Sequence, residues 1–159
     1  MSKKVVIIMG SKGDLDWAKR IAETLDQFGI ASVLRVASAH KSPLKCYDLI
    51  KEYEKERVVF VTVAGKSNAL SGFVDAQTPC PVIACPPYGD RFAGLDILSS
   101  LRMPSGVCPM VVLEPEQAAL AAAKILSVSD DHLRQKIEKY QQQKRREIEK
   151  DDKDLMRNG

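Results

Sequence analysis

The stretch KVVIIMGSKGD (4–14) places five apolar residues, Val5 to Met9, directly before Gly10 and a short polar turn. An unbroken β-branched run of this length, ended by glycine, reads as a strand buried on both faces. The same signature returns in ASVLRVA (31–37), VVFVTVA (58–64), PVIACP (81–86) and PMVVL (109–113). Between the first two runs, Leu15, Ala18, Ala22 and Leu25 follow helical spacing, with Ile21 and Phe28 beside them and Gly29 as the stop. Continuous apolar strands alternating with helices predict a parallel sheet covered on both sides by right-handed crossovers. The expected fold is therefore α/β: a three-layer, doubly wound parallel sheet of about five strands.

At 159 residues the chain suits one domain, long enough to bury roughly two thirds of its unfolded surface. Residues 1–128 are expected to form the α/β body, and 129–159 a C-terminal helix and charged tail of the same domain. Cys46, Cys80, Cys85 and Cys108 lack CxxC spacing, which argues against a zinc site or a disulfide framework and suits a reducing cytoplasm. The lysines before Val5 look like the start of a signal peptide, but the apolar run is too short, so a strand is expected there. No apolar stretch approaches the roughly 20 residues of a membrane span. A net charge of +3, with basic and acidic residues interleaved, gives no footprint for nucleic acid.

Toward the end, EPEQAALAAAKIL (114–126) reads as an alanine-rich helix suited to close packing. From Ser129 a charged helix carries Leu133, Ile137 and Tyr140 on one side. That strip needs a cover, and a neighbouring subunit is the expected one; a solvated tail is the alternative for the charged end.

In a doubly wound sheet, ligands sit at the carboxyl ends of the strands, where strand order reverses. After the first strand, MGSKGD (9–14) offers a tight turn at Gly10, the Ser11 hydroxyl and a helix start able to meet a phosphate. Asp14 is either a ligand contact or simply the helix N-cap. After the second strand, SAHKSP (38–43) sets His40 and Lys41 just outside a helix begun by Ser42 and Pro43. Histidine exchanges protons near neutral pH, so His40 is a candidate base or a satisfied loop residue. Lys41 is a phosphate partner or a solvated lysine. After the third strand, AGKSNALSG (64–72) offers Gly65 for close approach, then Ser67 and Asn68.

These loops, together with VIACPP (82–87), FAGLDILSSLRMPSG (92–106) and AALAAAKIL (118–126), resemble phosphoribosylaminoimidazole carboxylase of purine biosynthesis. The resemblance implies a flavodoxin-like domain assembled as a homo-octamer, with the last helix reaching neighbouring subunits. One branch of the family rearranges N5-carboxyaminoimidazole ribonucleotide and carries a second histidine in the third loop. Here that loop reads GKSNALSG (65–72), which resembles the branch that carboxylates aminoimidazole ribonucleotide directly with carbon dioxide, in its free-standing form.

Carried over by motif, His40 is the expected catalytic residue. Ser11 and Asp14 would bind the ribose phosphate part of the substrate, Ser38 and Lys41 would help hold the phosphate, and Gly65 and Ser67 would line the pocket for substrate and carbon dioxide. Gly13 stands where the family usually has serine. The resemblance implies no metal, biotin or other cofactor, and small-molecule substrates with neither nucleic acid nor membrane as partner. Residues around DRFAGLD (90–96) are expected to complete a neighbour's pocket. The competing expectations are the carbamate mutase and a flavodoxin-like mononucleotide-binding module without catalysis. A phosphorelay receiver is disfavoured, because Ser11 and Lys12 stand where an acidic pair is needed and Gly65 where an acceptor aspartate belongs.

Overall fold

The computed structural model describes residues 3–89 and 91–158, with the side chains of 91 and 158 outside that description. Strands β1 (Lys4–Met9), β2 (Ala31–Val36), β3 (Val59–Val63), β4 (Val82–Ala84) and β5 (Met110–Val111) pair in the order β2-β1-β3-β4-β5, every pair parallel. The order reverses between β1 and β3, as the doubly wound expectation requires.

Strand residues alternate between two cores. Val5, Ile7 and Met9 face α1 (Leu15–Gln27), α4 (Pro115–Ser127) and α5 (Asp131–Asn158), together with Val59, Val61 and Val63 of β3. Val6 and Ile8 face α2 (Pro43–Tyr53) and α3 (Ala69–Asp75), together with Phe60. The period of two turns alternate residues to opposite sides, and both sides are covered, which explains why the strands read as continuous apolar runs.

Strands β4 and β5 are shorter than their apolar runs. Proline bounds both: Pro81 has no N–H to give the ladder, and Pro109 stands just before β5. Helix α1 ends as its glycine predicts, with Gly29 at φ 72° and Ile30 N–H returning to Leu25 O at 3.0 Å.

The expected subunit cover for the last helix is overturned by α5 itself. Leu133 and Ile137 are 2% and 5% exposed, packed into the core shared by α1 and α4. The Tyr140 ring meets Phe28 edge-on, with centroids 5.4 Å apart. Lys136 Nζ donates to Phe28 O at 3.1 Å, satisfying a carbonyl at the α1 terminus. The strip is intramolecular because the C-terminal end of α1 leaves an apolar ledge, Phe28 and Ile30, that the strip fills. Beyond Tyr140 the helix continues into mostly exposed residues, including Ile148, Leu155 and Met156. No helix among the described residues is long and apolar enough to cross a membrane.

The burial of Ile137 yields a prediction. Ile137→Ala should lower unfolding free energy by about 2–5 kcal/mol, the usual cost of truncating a buried aliphatic side chain. Urea unfolding checks this, and an unchanged midpoint would mean that the strip is not core.

Candidate functional site

Three loops meet across the reversal between β1 and β3 and enclose a cleft of about 570 Å³. Gly10, Ser11, Gly13 and Asp14 come from the first loop, Ser38, Ala39, His40 and Lys41 from the second, and Ala64, Gly65, Lys66, Ser67 and Leu70 from the third. The seven residues carried over by motif, Ser11, Asp14, Ser38, His40, Lys41, Gly65 and Ser67, all line this one space.

The first loop turns through a single 3-10 turn, Lys12–Asp14. Gly10 does not need glycine's conformational freedom, since its backbone is not left-handed; it extends the ladder instead, its N–H donating to Val63 O at 2.9 Å. Asp14 does not cap α1 with its side chain. Its Oδ2 accepts from both the Ser11 N–H and the Ser11 hydroxyl, each at 3.0 Å, which closes the turn back on itself. At Gly13 an added Cβ would come 3.3 Å from Ser11 Oγ, so a serine there would crowd this closure.

The second loop is held by its two serines. Ser38 N–H donates to Ser42 Oγ at 3.0 Å, and Lys41 N–H donates to Ser38 Oγ at 3.2 Å. Ser42 occupies the N-cap position of α2, yet its side chain caps nothing on the helix and binds Ser38 instead. The cap expectation is corrected accordingly: the hydroxyl satisfies the loop, and Pro43, with no N–H of its own, reduces what the helix start needs. His40 and Lys41 are left exposed at the rim.

In the third loop, a Cβ on Gly65 would meet Pro87 O at 2.6 Å, a distance no side chain tolerates. Close approach therefore occurs here, and the partner seen is the chain itself. The segment after β4 is fixed in turn: Trp17 Nε1 donates to Cys85 Sγ at 3.4 Å, the Trp17 and Tyr88 rings meet edge-on at 5.8 Å, and the Tyr88 hydroxyl donates to Glu114 Oε1 at 2.7 Å. Burial pushes the Cys85 thiol up to about 12 and Cys46 to about 11, so neither is a thiolate near neutral pH. All four cysteines are free, and the residues lining the cleft include none of them. Asn68 does not join the cleft. It is buried, accepting from Ser71 N–H at 3.2 Å as the cap of α3 and donating to Ser100 Oγ at 2.9 Å.

Sequence reasoning missed the supports of this loop. Asp96 Oδ2 accepts from Lys66 N–H at 3.1 Å, and Ser99 Oγ accepts from Asn68 N–H at 3.0 Å. Both belong to a 3-10 segment, Arg91–Ser100, which is kinked by left-handed Phe92, Ala93 and Gly94. No periodicity signals such a segment. Of the expected neighbour-completing stretch, Asp90 lies outside the described residues, whereas Asp96 reaches the cleft loop of its own chain. Among the described residues no group of three or more His, Cys, Asp or Glu is placed to hold a metal.

The fold and the cleft define a doubly wound α/β protein with a polar site at its strand-order reversal. The family model described as AIR carboxylase matches residues 4–147. The phosphoribosylaminoimidazole carboxylase of Archaeoglobus fulgidus is 64% identical over 152 residues, covering 96% of this chain and 84% of that one. The Treponema denticola enzyme of the same name is 46% identical over 159 residues, covering 99% of this chain and 100% of that one. The crystal structure of Treponema denticola PurE superposes with a TM-score of 0.94 at 46% identity, covering 96% of this chain and 98% of that one. The chain belongs to the AIR carboxylase family.

The contact at Gly65 predicts that Gly65→Ala destabilises the fold by about 1–3 kcal/mol, because the added methyl forces the Pro87 carbonyl aside. Chemical denaturation measures this, and a neutral substitution would contradict the close approach.

Proposed function

We propose that the chain carboxylates 5-aminoimidazole ribonucleotide (AIR) with carbon dioxide, giving 4-carboxy-5-aminoimidazole ribonucleotide in purine biosynthesis. The observation that supports this most is the single cleft shared by the Ser11–Asp14 turn, the His40–Lys41 pair and the Gly65–Ser67 loop. The other histidine, His132, lies on α5, away from the residues lining the cleft. One histidine suits a reaction with one proton to move.

The substrate's aminoimidazole is an enamine whose C4 is already nucleophilic. C4 attacks the carbon of carbon dioxide, forming the carbon–carbon bond and sending an electron pair to a carboxylate oxygen. The adduct bears hydrogen and carboxylate on C4, with the positive charge shared by the 5-amino nitrogen and the ring nitrogen bonded to C5. His40 takes the C4 proton, and the C–H electron pair restores the aromatic ring; the reverse sequence decarboxylates. A placed general base contributes about 10² to 10⁴-fold, and holding the two reactants together contributes more. Neither ATP nor biotin nor a metal has a step to perform in this scheme.

Anchoring falls to the rim. Lys41 meets the phosphate as a point charge, helped by Ser38. Asp14, an acceptor, suits the ribose hydroxyls rather than the phosphate oxygens, with Ser11 beside it. Gly65 and Ser67 form the wall against which carbon dioxide is held. His40→Asn should abolish turnover in both directions while leaving the Michaelis constant within about tenfold, whereas Lys41→Ala should raise that constant more than it lowers kcat. Steady-state kinetics in the carboxylation and decarboxylation directions separates the two; near-wild-type turnover of His40→Asn would sink the base assignment, and an unmoved constant would sink the anchor.

We further infer a homo-octamer in which the 129–159 tail stays part of one domain with the body. The support now lies beside the cleft: Phe92, Leu95, Leu98 and Leu101 are 80%, 62%, 56% and 55% exposed on one short segment, a patch of the kind that marks an interface. Light scattering should give eight times the 17.6 kDa chain mass, and Leu98→Asp should reduce it. A monomeric wild type would reject the assembly. The free cysteines suit a reducing cytoplasm, which cell fractionation checks.

A further inference from the structure

Lys66 forms part of the cleft wall with a left-handed backbone, φ 61°, although it is not glycine. A side-chain-bearing residue enters that region at a cost and stays there where its surroundings over-determine it. The surroundings come from the kinked segment. Asp96 Oδ2 accepts from the Lys66 N–H at 3.1 Å. Ser99 Oγ, which accepts from Asn68 N–H, has one proton for two carbonyls, Lys66 O at 3.0 Å and Asp96 O at 2.8 Å. Both main-chain polar groups of Lys66 thus lie within hydrogen-bond distance of side chains on the same short segment, the N–H bonded to Asp96 and the carbonyl sharing the Ser99 hydroxyl, while Gly65 before it abuts Pro87 O.

The other oxygen of Asp96, Oδ1, is buried with no hydrogen-bond partner among the described residues. A partly desolvated carboxylate is expensive, so the charge-assisted bond to Lys66 N–H is the compensation that keeps Asp96 in place. Asp96 and Ser99 also line, with Phe92 and Leu95, an apolar hollow of about 560 Å³ that shares Lys66 and Ser67 with the cleft. The segment therefore stands directly behind the wall that faces the reactants.

We propose that Asp96 is a positioning residue for the reaction: by accepting from the Lys66 N–H it holds Lys66 left-handed, and that conformation sets where Gly65 and Ser67 stand against the reacting atoms. This rests on the reading that the cleft is where AIR and carbon dioxide meet. Without the bond, Lys66 relaxes toward negative φ and the Gly65–Ser67 wall shifts. The wall faces the reacting carbon and not the phosphate anchor, so the loss falls on kcat more than on the Michaelis constant for AIR.

The test is a mutant cycle on the full chain, read by AIR carboxylation and by amide hydrogen exchange at Lys66. Asp96→Ala should lower kcat about tenfold to a hundredfold, with the Michaelis constant within about threefold, and should speed Lys66 exchange. Asp96→Asn, whose amide oxygen still accepts, should restore slow exchange and most of kcat. In a Lys66→Gly background, where φ 61° is free of strain, the Asp96→Ala penalty should shrink to within about threefold. Wild-type kcat and slow exchange in Asp96→Ala overturn the proposal. An Asp96→Asn variant as slow as Asp96→Ala overturns it in favour of a carboxylate acting on substrate. A penalty undiminished in the Lys66→Gly background overturns the conformational route. Should the wild type fail to carboxylate AIR, the reading of the site falls, and Lys66 exchange still decides whether Asp96 holds the loop.

Discussion

A parallel strand buried on both faces has little room for polar chemistry along its length, and β1 and β3 are buried in this way almost from end to end. Hydrophilic function is displaced to the loops that leave these strands. Because β1 and β3 are neighbours while their crossovers lie on opposite sides, the loops diverge and leave a crevice between them. The cleft, its depth and the set of residues that line it all descend from that constraint.

What turns a crevice into a site is the fixing of its rims by side chains that bond to main chain. Asp14 closes the first loop on Ser11, Ser38 and Ser42 close the second, and Asp96 with Ser99 close the third from a distant segment. Each loop commits hydroxyls or a carboxylate to backbone groups that strand and helix leave unmatched. The scaffold thereby leaves His40 and Lys41 exposed at the rim, which suits chemistry whose main demand is to hold two small reactants and move a proton.

The fold was legible because the strand signal is local: Val5 to Met9 and Val59 to Val63 announce double-sided burial within a few residues, and Gly29 ends α1 by a single dihedral angle. The candidate residues were legible for the same reason, each lying within a few positions of a strand end. What escaped was long-range. Nothing around Asp96 reveals that its carboxylate lies against Lys66, and nothing around Leu133 and Ile137 tells an intramolecular cover from a subunit, since amphipathic spacing states that a face is buried and not by what. Ser42 and Asn68 show the reverse error: a residue type suited to a cap or a ligand was placed correctly in the chain, and its hydrogen bonds went elsewhere.

The central claim is that AIR itself receives carbon dioxide at C4 with His40 as the only proton acceptor the step needs. Its most direct measurement follows 4-carboxy-5-aminoimidazole ribonucleotide formed from AIR and freshly dissolved ¹³C-labelled carbon dioxide, in EDTA and without ATP, beside a parallel reaction supplied with N5-carboxyaminoimidazole ribonucleotide. Prompt appearance of the label in the product from AIR, with no enzyme-dependent product directly from the carbamate, is the predicted result. Product formed from the carbamate while AIR and carbon dioxide give none would contradict it.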